Sequence, residues 1–320
     1  MTFMNYTEAC ATAPASVPSD AGIAGIGVLL SFMITAVISL ILSISLVFED
    51  VRNKDSASTL RRRLLNSYSD QQILTGIGLQ GVGLAKMSTL IPYHFFIIWM
   101  LSVLSSAVHN AALLALARDF RRDPVLRWLR QALMAVNLLL SCAYGIFVLE
   151  GVQDGINNST LPIGCVWAPG GTVDPRAIAA PDTSTAGSFA GTIVIIGAQV
   201  LTFGFSTWYL QSRAQRYYKL IQIVGLVAMV GIAAGSIIRV ILMAQAFQTT
   251  PPVELSDSGE RVWSFGQLLS VGLLLLPVVT VVEILRGELS CPPPVPDDEA
   301  KEKLLDKEPA GEEGQEMQAK

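Results

Sequence analysis

The chain has little of what most hydrolytic and metal-dependent enzymes use. Only two of its 320 residues are histidines, and only 15% are Asp, Glu, Lys or Arg. Zinc hydrolases gather several histidine or cysteine ligands at one site. The sequence has neither a His-x-x-x-His pair nor a Gly-x-Ser-x-Gly nucleophile motif. We therefore predict that the protein is not an enzyme, and we expect no metal, no cofactor and no nucleic-acid partner.

Long apolar runs occupy most of the chain instead. Hydrophobic residues make up 51% of it, and the mean hydropathy is +0.49. A helix of about 20 apolar residues crosses the hydrocarbon core of a bilayer. Seven runs approach that length, near 23–48, 72–91, 93–117, 127–150, 189–211, 218–246 and 264–286. The sequence thus predicts an all-α, polytopic membrane protein whose lipid-embedded domain, 23–286, is a bundle of seven transmembrane helices.

The basic residues lie mainly on one side of these runs. Five fall in the first loop, five around the third loop and three in the fifth, whereas the opposite loops hold only Arg176 and Arg261. The positive-inside rule then places the N-terminal tail, 1–22, outside and the C-terminus in the cytoplasm. The pattern does not distinguish the plasma membrane from an endomembrane.

The C-terminal segment, 287–320, differs from the rest of the chain. It contains ten acidic residues and four lysines and has few large apolar side chains. Such a composition cannot bury a core, so we predict a disordered cytoplasmic tail. Cys291 lies just beyond the last run, where a cysteine is either a palmitoylation site or an ordinary reduced thiol.

Two kinds of sequence feature fit an external location. Glycosylation sequons begin at Asn5, Asn157 and Asn158, all on the predicted outer side. Cys10 and Cys165 also lie on that side, where an oxidising compartment allows disulfides. We favour a bridge between them over two unpaired thiols.

Four ionisable residues lie near the predicted outer ends of the spans, namely Lys86, His94, Glu150 and Arg239. Charged groups within a membrane are costly and often functional. One hypothesis is an outward-facing vestibule in which they orient a small ligand. The alternative, which we favour, is that each long side chain independently extends to the lipid headgroups.

A second polar set lies deeper in the predicted bundle and consists of His109, Asn110, Asn137, Gln199 and Glu283. Hydrogen bonds between membrane helices are worth about 0.6 kcal/mol on average, so we favour structural contacts between helices. The sharper hypothesis is a conformational switch or a proton path through His109. Pro277, in the last run, predicts a helix kink.

Glycines concentrate in the second run. Gly76-x-Gly78-x-x-Gly81 matches a dinucleotide-binding fingerprint, but that motif requires a strand and a soluble βαβ unit. We interpret these glycines, with Gly83, as a surface for close helix contact. Gly231-x-x-x-Gly235 in the sixth run has the same interpretation.

The order of spans resembles that of G-protein-coupled receptors, although the signature motifs of that class are absent. Arg118-Asp119-Phe120 stands in place of the Asp/Glu-Arg-Tyr order of the rhodopsin-like receptors. The segments 20–28 and 65–76 are similar to short sequence motifs in a family of uncharacterised, multi-pass membrane proteins of filamentous fungi. This resemblance implies fungal origin and a membrane location, and it brings no settled activity.

Together these observations favour a receptor-like or sensor protein. Its partners would be the lipid bilayer, a small extracellular ligand and a cytoplasmic signalling protein. A small-solute transporter is the alternative, and a structural membrane protein without a ligand is a third interpretation. Ligand-dependent flux would distinguish transport from signalling.

Overall fold

A computed structural model describes residues 10, 13–52, 59–122, 124–153, 159–167, 184–211, 218–248, 253 and 255–286. Its principal helices are α1 (Ile26–Val51), α2 (Thr59–Ala85), α3 (Pro92–Ala115), α4 (Pro124–Gln153), α5 (Ser184–Gln211), α6 (Tyr218–Met243), α7 (Phe265–Gly272) and α8 (Leu276–Leu285). Short helices cover Ala21–Ala24 and Ala117–Arg122, and 3-10 turns cover Ile163–Trp167 and Leu273–Leu275. The described ranges contain one isolated β-bridge, between Val17 and Leu255. The fold is therefore all-α, as predicted.

Helix α3 forms the centre of the bundle. It begins with Pro92, whose fixed φ suits the first turn of a helix. Of its residues only Phe96 and Ala115 are not fully buried. It packs against α1, α2, α4, α5 and α6. Any polar group on α3 therefore has to find a partner on a neighbouring helix, because burial without one is costly.

The peripheral helices expose apolar side chains. Six helical segments in the described part of the chain are long and apolar enough to cross a membrane, namely Ala21–Val51, Pro92–Ala115, Arg127–Gly151, Phe189–Leu210, Lys219–Met243 and Phe265–Leu285. Leucines, valines and aromatic residues stand exposed on them, among them Leu201, Trp208, Val227 and Leu285. These faces are compatible with contact to lipid, and the chain is an integral membrane protein.

Helix α2 departs from the predicted second span. It starts at Thr59 rather than near residue 72 and ends at Ala85 rather than near 91. The helix continues through the polar stretch that precedes the apolar run because Arg61 and Arg62 have acidic partners on neighbouring elements. The turn after Ala85 contains Lys86, so the placement of Lys86 inside a helical span was wrong.

The last span is interrupted. Helix α7 starts after Ser264, whose side chain caps it by accepting a hydrogen bond from the Gln267 N–H. A 3-10 turn at Leu273–Leu275 separates it from α8, in which Pro277 is the second residue. Pro277 has no N–H to continue the α-helical pattern, so the break lies where the proline predicted a kink. Both halves pack on the outside of the bundle, α7 against α1 and α8 against α2.

The glycines of α2 divide into two groups. A Cβ on Gly76 would lie 2.8 Å from Ser105 Oγ, and one on Gly83 would collide with the Tyr144 hydroxyl. A Cβ on Gly78 or Gly81 would meet nothing within 4 Å. The interpretation as a contact surface therefore holds for the first pair only. It is wrong for Gly231 and Gly235 of α6, where a Cβ also meets nothing within 4 Å.

Several predictions fall on residues outside the described ranges: the sequons at Asn5, Asn157 and Asn158, the Cys291 thiol and the 287–320 tail.

Candidate functional site

One end of the bundle carries a folded cover. Its segments are the described residues of 10–25, 86–91, 159–167 and 244–264, which we call the cap. Cys10 and Cys165 form a disulfide that joins the first and third of these segments. The bridge favoured from the sequence is thus present, and we call this end of the bundle the disulfide end.

The cap contains a fully buried carboxylate, that of Glu260. Its Oε1 lies 2.7 Å from His94 Nε2, and its Oε2 accepts a hydrogen bond of 2.9 Å from the Tyr93 hydroxyl. Tyr93 and His94 are in the first turn of α3 and are each 2% exposed. A buried charge is tolerated only when it is paired and hydrogen-bonded. Both carboxylate oxygens meet that condition here.

The same group of residues connects three helices. The Gln245 N–H, just after α6, donates a 2.7 Å hydrogen bond to the Tyr93 oxygen. The Glu260 carbonyl accepts from the Ile26 N–H at the start of α1. We call Tyr93, His94, Gln245 and Glu260 the latch. It fixes the 244–264 segment to the beginnings of α1 and α3 and to the end of α6.

Exposed polar contacts add to the attachment of the cap. The Ser19 hydroxyl and the Gly259 N–H donate to Asp257, and these hydrogen bonds lower the pKa of that exposed carboxyl. Lys86 Nζ lies 2.8 Å from Asp20 Oδ2, with about half of the lysine side chain exposed. Surface pairs of this kind contribute about 1 kcal/mol or less, so the buried latch is the stronger attachment.

The four residues proposed for a vestibule do not meet in one site. His94 is paired with Glu260 and Lys86 with Asp20. Glu150 is half-buried and Arg239 is exposed on α6. Neither makes a polar contact with the other three among the residues that the structure describes. The four residues therefore do not form one shared binding site.

Glu260 was not among the residues predicted for a site from the sequence. It lies in a loop of mixed composition after the sixth apolar run, where no periodicity marks it. The sequence feature that pointed to such a residue was His94. A histidine at the start of an apolar helix, two residues after Pro92, needs a polar partner. Only the fold shows that the partner comes from a segment 166 residues away.

Deeper in the bundle, one group of buried side chains joins α2, α3 and α4. The Gln80 amide donates to Asn137 Oδ1 at 2.7 Å, and the Asn137 amide donates to Ser106 Oγ at 2.9 Å. The Asn110 amide donates to the backbone carbonyl of Ser106. Two of the predicted network residues, Asn137 and Asn110, therefore converge on the same serine of α3.

Other buried polar contacts form separate groups. His109 lies 3.3 Å from both Ser69 Oγ and Ser105 Oγ. Gln199 Oε1, on α5, accepts a 3.3 Å hydrogen bond from the Ser141 hydroxyl. Glu283 is half-buried and has no polar contact within the described ranges. The predicted network is thus three local clusters plus an isolated carboxylate, and these contacts form no continuous path through His109.

A polar cleft lies outside this set, between α1, α2 and the end of α7. It has a volume of about 40 Å³, and its lining residues are Ser31, Phe32, Thr35, Gln71, Gln72, Thr75, Ser270 and Leu273. A volume of that size accommodates water-sized molecules. Leu273 also opens the 3-10 turn that interrupts the last span, so the cleft borders the helix break.

The described residues contain no group of three or more His, Cys, Asp or Glu side chains placed to hold a metal ion. Comparisons with protein-family models, curated proteins and solved structures found no match to this chain. The resemblances to fungal membrane proteins and to G-protein-coupled receptors stay predictions, and a functional proposal has to rest on the geometry.

Proposed function

We propose that this chain is a receptor-like or sensor protein of the plasma membrane or an endomembrane. Its disulfide end would face the outside and its C-terminus the cytoplasm. The arginine-rich loops and the Cys10–Cys165 disulfide support this orientation independently. Basic loops remain on the cytoplasmic side, and stable disulfides belong to oxidising compartments.

Helix α2 would be the seventh span. Its glutamines and glycines reduce its hydropathy, but residues 71–85 contain no charged side chain. These fifteen residues extend about 22 Å at 1.5 Å per residue. The helix packs against α1, α3 and α4, so its polar groups face protein. Seven spans also leave the two chain ends on opposite sides of the membrane.

The observation that carries the proposal is the buried latch. It ties a segment of the cap to the first turn of α3, the helix at the centre of the bundle. A ligand that displaced the 244–264 segment would uncouple Glu260 from α3. Because α3 packs against five other helices, its movement would reach the opposite, arginine-rich end, where a cytoplasmic partner would bind.

Hydrogen–deuterium exchange tests this coupling. Full-length wild type and Glu260→Gln would be compared in lipid nanodiscs. The substitution removes the charge that His94 and Tyr93 hold while keeping the side-chain shape. We expect faster exchange in the cap and also at the far end, in residues 109–115 and 59–66.

Lys86→Gln is the matched control, because it removes a cap ion pair that is exposed and does not involve α3. It is expected to change exchange near Asp20 alone. If Glu260→Gln also changes only the cap, the latch does not couple the two ends and the sensor proposal fails. If the exchange changes reach both ends, a screen of extracellular metabolites for stabilisation of wild type but not His94→Gln would identify the ligand class.

A transporter is the second candidate, and the interrupted last span favours it. Broken helices beside polar sites near the middle of the membrane are typical of secondary transporters. The cleft at Leu273 places polar side chains beside such a break. Saturable uptake of a solute into vesicles that contain only this protein would support transport. A ligand-dependent exchange change at the arginine-rich end without uptake would support a sensor.

A further inference from the structure

The cleft between α1, α2 and α7 presents oxygen atoms of neutral side chains. Six of its eight lining residues carry a hydroxyl or an amide, and none is ionisable. Within a membrane, such a concentration of polar atoms is costly unless they have partners. The hydrogen bonds around the cleft show which atoms have them.

The four hydroxyls donate to their own helices. Thr35 donates to the Ser31 carbonyl at 2.6 Å and Ser31 to the Val28 carbonyl at 2.8 Å. Thr75 donates to the Gln71 carbonyl at 2.8 Å and Ser270 to the Gly266 carbonyl at 2.9 Å. Each hydroxyl proton is thus engaged, and the oxygen lone pairs are what these side chains offer to the cleft.

Gln72 adds an acceptor with no partner. It is 1% exposed, and its amide nitrogen donates a 2.9 Å hydrogen bond to the Phe32 carbonyl. That bond orients the amide, yet its Oε1 accepts no hydrogen bond among the residues that the structure describes. Gln71 Oε1 is buried and unpartnered in the same way. The cleft therefore combines six side-chain oxygens, two of which have no hydrogen-bond partner in the described part of the chain.

The neutral oxygen atoms and the small volume of the cleft restrict the kind of ligand that can bind there. A divalent cation is held chiefly by carboxylates, which the cleft lacks, and an anion would require donors that the hydroxyls do not supply. A neutral solute of metabolite size does not fit a volume of about 40 Å³. We propose that the cleft binds a small monovalent cation, of the size of sodium, through the oxygens of Ser31, Thr35, Gln71, Gln72, Thr75 and Ser270. This inference does not depend on the latch or on the sensor function.

The test measures the thermal stability of purified, full-length protein in increasing sodium chloride, with N-methylglucamine chloride keeping the ionic strength constant. Binding to the folded state raises the melting temperature with ligand concentration. We expect a saturable rise of a few degrees for wild type. Thr75→Val removes one oxygen, and half-maximal stabilisation should then need about tenfold more sodium, equivalent to 1.4 kcal/mol.

Thr202→Val on α5 is the matched control. Thr202 is half-buried and donates to the Ala198 carbonyl four residues earlier, as Thr75 does to Gln71, but it lies outside the cleft. Its sodium response should equal that of wild type. Binding of radioactive sodium to immobilised wild type provides a second measurement that does not require the Thr75 variant to fold. Equal melting temperatures in the two salts, with no saturable sodium binding, would show that the cleft holds only water and would overturn the proposal.

Discussion

His94 Nε2 and Glu260 Oε1 lie 2.7 Å apart inside the cap, although 166 residues separate them in the chain. The pair joins the start of the central helix to the last loop before α7. His94 thus makes a closed contact with protein, neither lining the hypothetical vestibule nor extending to the lipid headgroups as the favoured interpretation expected. The stability of the cap should therefore depend on this pair more than on any surface ion pair.

Removing the Glu260 carboxylate tests that dependence. Glu260→Ala leaves His94 and Tyr93 without their acceptor and is expected to cost about 3–5 kcal/mol of unfolding free energy. Glu260→Gln keeps an acceptor and should cost about 1.5–3 kcal/mol. Thermal unfolding in detergent measures both. Lys86→Gln should cost about 1 kcal/mol or less, and an equal loss in all three variants would contradict the special role of the latch.

Breaking the Cys10–Cys165 bridge should destabilise the cap. The cysteines are 155 residues apart. Disulfides that close long loops typically contribute about 2–4 kcal/mol to the free energy of unfolding, because they reduce the conformational entropy of the unfolded chain. Cys10→Ser should lower the melting temperature under non-reducing conditions. A reducing agent should lower that of wild type to the same value and leave the variant unchanged. A reductant effect of equal size on the variant would show that some other thiol is responsible.

Two glycines of α2 form a matched pair for helix packing. Gly83→Ala would drive a methyl group into the Tyr144 hydroxyl and Ile98, whereas Gly81→Ala meets nothing within 4 Å. We expect the first variant to lose about 1–3 kcal/mol through overpacking. The second should be neutral or gain up to about 1 kcal/mol from the better helix propensity of alanine. The free energy of unfolding of both variants tests this expectation. A Gly83→Ala protein as stable as wild type would mean that α2 and α4 are farther apart than in this structure.

The orientation of the chain can be read from glycosylation. Expression in a eukaryotic host should give a product that glycosidase treatment shortens on a gel, because the sequons of Asn5, Asn157 and Asn158 would lie outside. Combined removal of the sequons through Thr7→Ala, Ser159→Ala and Thr160→Ala should abolish that shift. An engineered sequon within residues 53–58 should stay unmodified, and its glycosylation would reverse the proposed orientation.

Hydropathy predicted where the long helices lie but not where all of them begin and end. The central span of 93–117 corresponds to α3, because continuous apolar character and Pro92 mark it clearly. The start of α2 was missed by more than ten residues, since Arg61 and Arg62 reduce hydropathy while their acidic partners stabilise the helix. Those partners come from other elements, which a count of local hydropathy does not include.

The candidate sites show the same division. Compartment and cysteine number were enough to favour the Cys10–Cys165 bridge. The role of His94 was not predictable, because Glu260 comes from a distant loop. The deep polar residues were found as a set, yet their division into clusters depends on which serines of α3 and α4 they contact. The polar cleft was not predicted, because its serine, threonine and glutamine side chains are not ionisable.

The order of the chain also sets the order in which the cap can close during synthesis. Cys165 follows α4, so its bond to Cys10 can form once the first four long helices have been inserted. Glu260 follows α6, so its contact with His94 has to wait for two further helices. Between these events a nascent chain would already hold the disulfide while the imidazole of His94 still lacks its hydrogen-bond partner. In that interval the start of α3 carries a polar side chain without its partner, which is costly in an apolar environment.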